Sequence, residues 1–118
     1  MRMAGLRDRT KNFALRVVKL YSALPKSVEA QVMGKQLLRS GTSVAANFLE
    51  ASRARSDAEF IAKLGIVEQE LDESLLWLEL LVESTIMPER LLAELMKESD
   101  ELIRIVVKAV QSTKAVKK

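Results

Sequence analysis

Apolar residues recur along most of the chain at intervals of three and four, the spacing that places side chains on one face of an α-helix. The clearest stripe follows Asp57, where successive apolar residues are separated by steps of 4, 3, 4, 4, 3 and 4. Its members are Phe60, Leu64, Val67, Leu71, Leu75, Leu78 and Val82. A stripe of this kind is typical of a helix that packs against others in a bundle.

Local signals indicate where four helices begin and end. Pro25 disfavours a helical conformation in the residue before it, and Pro88 suits the first turn of a helix. Ser27 is a predicted N-cap, and Ser56 forms a predicted capping box with Glu59. These signals predict a single domain, residues 1–118, with helices over about residues 8–24, 28–52, 57–84 and 88–112.

The connections between these predicted helices are only a few residues long. A connection this short cannot carry the chain back along a whole helix, so consecutive helices must alternate in direction. The sequence therefore predicts the all-α fold class and, within it, an antiparallel up-down-up-down four-helix bundle.

Gly41 lies inside the second predicted helix, among small residues. A glycine in a helix interior destabilises it by about 1 kcal/mol relative to alanine, unless something offsets that loss. We expect one long helix in which Gly41 lets a neighbouring helix approach closely. A break in the helix near Gly41 is the alternative.

The third predicted helix carries a second apolar stripe, formed by Leu76 and Leu80 with Trp77 and Leu81. A helix that is apolar on more than one side is buried on more than one side. Because a monomeric bundle covers only one of those sides, the second stripe predicts a subunit interface.

The side chains that most enzymes and metal sites need are missing. The chain has no cysteine and no histidine, which excludes disulfides, thiol catalysis, the usual general base and the commonest transition-metal ligand. No phosphate-binding glycine loop is present, and the acidic residues fall between core positions of the third helix. We therefore expect no enzymatic activity, no catalytic residue, no cofactor and no metal ion.

No apolar run reaches the roughly 18 residues that a membrane-spanning helix needs. The start of the chain, Met1 to Asp8, contains basic residues but lacks the apolar segment of a secretory signal. We expect a cytoplasmic protein that does not enter a membrane.

Charge is distributed unevenly along the chain. Residues 1–60 carry 11 lysines and arginines against 5 acids, a net charge of +6, whereas residues 61–118 carry 8 against 11, a net charge of −3. A basic half can attract RNA or DNA, whose phosphates bind lysine and arginine. The residues predicted to make these contacts are Arg7, Arg9, Lys11, Arg16, Lys19, Lys35, Arg39, Arg53 and Arg55.

Aromatic residues are few and mostly at core spacing, so contacts to nucleic acid are expected with its backbone and not by base stacking. Glu50 lies one turn before Arg53, and the spacing predicts an ion pair between them. The alternative to nucleic-acid binding is that the basic residues only solvate helix faces. The protein would then be a structural or protein-interaction scaffold.

Several segments of the chain resemble one known family. They are residues 39–47 (RSGTSVAAN), Glu50 with Ala51, the residues Ser56, Glu59, Phe60, Ile61, Lys63 and Leu64, and residues 76–81 (LWLELL). They resemble the four-helix-bundle proteins first noted as reading frames inside intervening sequences of bacterial large-subunit ribosomal RNA genes. The resemblance extends from about Phe13 to Val110.

The resemblance implies a homopentamer of antiparallel four-helix bundles, without an established biochemical activity for most members. A related group, the accessory proteins of diversity-generating retroelements, forms a pentameric barrel that binds a reverse transcriptase and nucleic acid through basic surfaces. The family offers no catalytic residue to transfer to this chain.

Overall fold

The computed structural model describes residues 2–116, which form four α-helices and contain no β-strand. The helices are α1 (Ala4–Ala23), α2 (Val28–Ser52), α3 (Asp57–Glu83) and α4 (Glu89–Val116). Each helix packs against the next, and α4 returns to α1 through the loosest of the four contacts. The result is the predicted antiparallel up-down-up-down bundle, with extents of 50 × 20 × 19 Å.

Two helices are longer than the sequence predicted. Helix α1 begins at Ala4 instead of residue 8, because Leu6 is buried and the Arg2 N–H donates to the Ser52 carbonyl oxygen at 3.1 Å. Helix α4 continues to Val116 instead of ending at residue 112. Both extensions lie at the same end of the bundle. Met1, Lys117 and Lys118, which belong to the predicted domain range, lie outside the described residues.

The predicted cap of α3 forms, with one difference. Helix α3 begins at Asp57, where the Glu59 N–H donates to Ser56 Oγ at 3.1 Å. The Glu59 carboxylate accepts a hydrogen bond from the Arg55 N–H at 3.5 Å, and not from the N–H of Ser56 as the capping box predicted. The start of α3 is therefore fixed by its own side chains.

The apolar stripe of α3 supplies one wall of the core. Its buried members are Phe60, Leu64, Val67, Leu71 and Leu78, whereas Leu75 and Val82 are half-buried. Leu81, which the sequence assigned to the second stripe, is instead fully buried in the core. Only Leu76 and Leu80 of that second stripe are clearly exposed, with 47% and 36% of their surfaces accessible.

Two glycines bring α1 and α2 close together. Helix α2 runs unbroken through Gly41, and a Cβ atom added there would lie 2.8 Å from Val17 Cγ2. A Cβ atom added at Gly34 would overlap Leu24 and lie 3.0 Å from Tyr21 Cδ1. The predicted close helix approach at Gly41 is confirmed, and Gly34 extends it by two further turns.

The buried hydroxyls serve the packing of the helices. Ser40 of α2 and Ser74 of α3 form a hydrogen bond of 2.8 Å inside the bundle. Asn47 donates to the Ser43 carbonyl and hydroxyl oxygens, both at 2.9 Å. Within residues 2–116, no buried side-chain nitrogen or oxygen lacks a hydrogen-bond partner. These residues therefore have structural roles.

Ion pairs join two pairs of helices. Arg9 of α1 binds Glu98 of α4 at 2.8 Å and Glu101 at 2.9 Å, across the loosest helix contact. The hydrogen bond from Arg9 lowers the pKa of Glu98, because it stabilises the carboxylate. Arg39 of α2 likewise binds Glu70 and Glu73 of α3.

The glycine contacts lead to a prediction of opposite effects at two helical glycines. Gly41→Ala should lower the free energy of unfolding by about 1 kcal/mol, because Val17 is buried and its branched side chain cannot rotate away. Gly65→Ala should raise it by up to about 1 kcal/mol, because nothing lies within 4 Å of the new Cβ atom. Chemical denaturation measures both, and a stabilising Gly41→Ala would contradict the close approach.

Candidate nucleic-acid interface

The nine basic residues predicted to contact nucleic acid do not form one surface. Arg9 and Arg39 have their guanidinium groups engaged in the ion pairs between helices. Within residues 2–116, the other seven form no ion pair. Those seven are Arg7, Lys11, Arg16, Lys19, Lys35, Arg53 and Arg55.

Four of the seven lie at one end of the bundle, which we call the basic end: Arg7, Lys11, Arg53 and Arg55. Arg7 and Lys11 of α1 line a shallow groove of about 270 Å³ whose other wall is Ala45, Ala46 and Leu49 of α2. Arg53 follows directly at the end of α2, and Arg55 lies in the connection to α3. All four side chains are exposed. The small alanines leave this groove open to an extended polymer.

Most acidic groups around the basic end are already engaged. Glu50 pairs with Lys63 at 3.2 Å, so its predicted pair with Arg53 is wrong, and Arg53 remains unpaired within residues 2–116. Asp57 pairs with Arg2 at 2.9 Å. The Glu59 carboxylate lies at the start of α3, where the helix dipole favours negative charge. The surplus positive charge at this end is therefore accessible.

Arg16 and Lys19 lie elsewhere, on the rim of the groove between α1 and α4. We call this the α1–α4 groove; it has a volume of about 390 Å³ and is lined by Arg16, Lys19, Leu20, Ala23, Met87, Leu91 and Leu95. Leu91 is 53% exposed. A floor this apolar suits another apolar surface better than a phosphate backbone. Lys35 is exposed on α2 and lines neither groove.

The uneven charge along the sequence places a basic helix, α1, and an acidic helix, α3, at diagonally opposite positions in the bundle. Helix α1 has five basic residues and one acid, a net charge of +4, whereas α3 has eight acids and one lysine, a net charge of −7. Helices α2 and α4 are each balanced. Within residues 2–116, no Cα atom of α1 lies within 8 Å of a Cα atom of α3, so the two helices occupy diagonally opposite positions. A polyanion is therefore attracted to the α1 side and repelled from α3.

Sequence reasoning missed the two grooves and the division of the basic residues between them. Each groove joins helices that meet only after folding, so periodicity within one helix cannot show it. No group of three or more metal-ligating residues occurs in the part of the chain that the structure describes. None of the four described helices is long and apolar enough to span a membrane.

Comparisons with known proteins agree with the resemblance seen in the sequence. The family model described as 23S rRNA-intervening sequence protein matches residues 6–108. A crystal structure of a protein with unknown function from the S23 ribosomal protein family of Bacteroides thetaiotaomicron VPI-5482 is similar, with a TM-score of 0.82. That protein is 38% identical over 88% of this chain and 96% of its own. A search of curated proteins finds no match. The chain belongs to the 23S rRNA-intervening sequence protein family.

Proposed function

We propose that this chain is a non-enzymatic, homo-oligomeric module that binds RNA or DNA through its basic end. The observation that carries the proposal is the group of four exposed cations at the basic end, two of which, Arg7 and Lys11, line the groove between α1 and α2. Two of the neighbouring acids, Glu50 and Asp57, have ion-pair partners of their own, so they do not neutralise these four cations. Exposed, unpaired cations can neutralise phosphates and thereby release the counterions bound to the nucleic acid. This release supplies most of the non-specific affinity of a protein for nucleic acid.

The surface chemistry favours contacts with the nucleic-acid backbone. The single tryptophan, Trp77, is half-buried on the acidic helix α3, and its Nε1–H donates to Glu73 at 3.0 Å. The single tyrosine, Tyr21, donates to Gln31 at 3.0 Å, away from the basic end. The three phenylalanines are buried, including Phe60 at the start of α3. Within residues 2–116 the basic end therefore offers no exposed aromatic side chain on which bases could stack, and binding should be only weakly dependent on sequence.

Oligomerisation is the second part of the proposal. Leu76 and Leu80 remain exposed on α3, and Leu91 remains exposed on α4, although each helix has already buried a full stripe in the core. The family resemblance leads us to propose five copies. In a cyclic assembly, equivalent surfaces lie at the same height around the axis. The basic ends would form a ring of cations, which raises avidity without any new contact.

We predict that charge reversal at the basic end lowers the affinity for nucleic acid by about tenfold or more, because repulsion replaces several phosphate contacts. The test variant is Arg7→Glu/Arg53→Glu/Arg55→Glu. The matched control is Lys26→Glu/Arg90→Glu/Lys97→Glu, which changes the net charge equally at exposed residues outside the basic end. Fluorescence anisotropy with single-stranded RNA, hairpin RNA and duplex DNA, measured against salt concentration, gives the affinities.

The control variant should bind nearly as well as the wild-type protein, and wild-type affinity should fall as salt rises. If the wild-type protein binds none of these probes at about 50 mM salt, where the electrostatic contribution is strong, the nucleic-acid proposal fails. The exposed leucines then favour the alternative, a protein-interaction scaffold.

We also predict a solution mass several times the 13.2 kDa of one chain, with five copies as the expected number. Size-exclusion chromatography with light scattering at micromolar concentration measures it. A single peak at the mass of one chain would contradict the oligomer and would leave the test of the basic end unaffected.

A further inference from the structure

We infer that neighbouring subunits join head to tail, with a ridge on α3 of one copy seated in the α1–α4 groove of the next. The α3 ridge consists of Leu76, Glu79, Leu80 and Glu83. This inference rests on the oligomer proposed above, and it specifies which two surfaces meet and that they differ from each other.

The α3 ridge is an apolar surface with an acidic border. Leu76 and Leu80 lie one turn apart on the outer side of α3 and are both exposed. Glu79 and Glu83 lie on the same side, about 6 Å apart along the helix axis. Neither glutamate forms an ion pair within residues 2–116. The ridge is thus left with apolar side chains and negative charge together.

The α1–α4 groove has the opposite character. Its lining includes the apolar side chains of Leu20, Leu91 and Leu95 together with the cations Arg16 and Lys19. The two cations are separated by about 4.5 Å along α1, close to the spacing of the two glutamates on the ridge. The groove exists because α1 and α4 make the loosest helix contact of the bundle. It can accept the leucines of the ridge while its rim neutralises the glutamates.

Charge also decides against a symmetric contact. Two ridges placed together would oppose glutamate with glutamate, and two grooves would oppose Arg16 and Lys19 with the same residues. Like charges across an interface are unfavourable, whereas ridge on groove pairs opposite charges. A contact between two different surfaces repeats from copy to copy and closes into a ring when the rotation allows it. The contact leaves the basic end uncovered, because that end lies at the groove between α1 and α2.

The inference is tested by exchanging the charges of the two surfaces. The groove variant is Arg16→Glu/Lys19→Glu, and the ridge variant is Glu79→Lys/Glu83→Lys. Each should dissociate to a mass of 13.2 kDa at a concentration where the wild-type protein is oligomeric. The fourfold variant, which carries all four changes, should recover the oligomer because its charges are again complementary. Light scattering gives the masses, and circular dichroism confirms that each variant is helical.

The fourfold variant separates assembly from folding. Arg16 also helps to lower the pKa of Glu98, after the larger effect of Arg9, so Arg16→Glu alone disturbs the bundle. A loss of mass caused only by that disturbance would persist in the fourfold variant. Mixing the groove and ridge variants should restore contacts between unlike copies, because each supplies the surface that the other needs. Five alternating copies leave one unmatched contact, so the mixture should form open or even-numbered oligomers with masses above 13.2 kDa.

Two outcomes would overturn the inference while the proposed oligomer stands. In the first, the groove and ridge variants keep the wild-type mass. In the second, the fourfold variant and the mixture of the two double variants both remain monomeric. A wild-type protein that is itself monomeric would overturn the oligomer and this inference together. Binding of nucleic acid by the basic end is measured separately; a monomeric variant should keep the binding site and lose only the avidity of the ring.

Discussion

The close seating of α1 on α2 is the constraint on which the rest of this bundle depends. Gly34 and Gly41 remove the side chains that would keep the two helices apart, so Val17 and Tyr21 pack directly against the α2 backbone. Helix α1 contacts α4 far less, and Arg9 ties it there through Glu98 and Glu101. Helix α1 therefore has a close contact with α2 and a loose contact with α4, and a groove lies along each of them.

Those two surfaces have different chemistry, although both include basic residues of α1. The groove between α1 and α2 is lined by Arg7 and Lys11 on one side and by Ala45, Ala46 and Leu49 on the other, and we propose that it receives a phosphate backbone. The α1–α4 groove has a leucine floor and is suited to an apolar ridge. The net charge of +4 on α1 and −7 on α3 is consistent with both proposed roles, because it would attract a polyanion to one side and favour contact between different sides of two copies.

The helices were predictable from sequence because their causes are local. The spacing from Phe60 to Val82 follows from a single helix, and Ser56 fixes the start of α3 within three residues of sequence. Gly41 was predictable as a close contact because a helix interior otherwise disfavours glycine.

Features that depend on the register between distant helices were not predictable. Arg9 meets Glu98 across 89 residues of sequence, and nothing near Arg9 indicates that partner. Leu81 enters the core because of how α3 rotates against its neighbours, which the spacing alone left open. The division of the nine basic residues into a paired group, an α1–α4 groove group, a basic-end group and the separate Lys35 has the same origin. A count of charges along the sequence therefore cannot show which cations form ion pairs and which lie together on one surface.

The central claim is that α1 uses one groove for nucleic acid and another for assembly, and lysine acetylation mapped by mass spectrometry tests it most directly. In the assembled protein, Lys19 should react slowly with or without RNA, because the neighbouring subunit covers it. Lys11 should react readily without RNA and be protected when RNA is added, while Lys26, which lies outside both surfaces, should react equally in both states. If RNA protects Lys19 but leaves Lys11 reactive, the assignment of the two grooves is wrong.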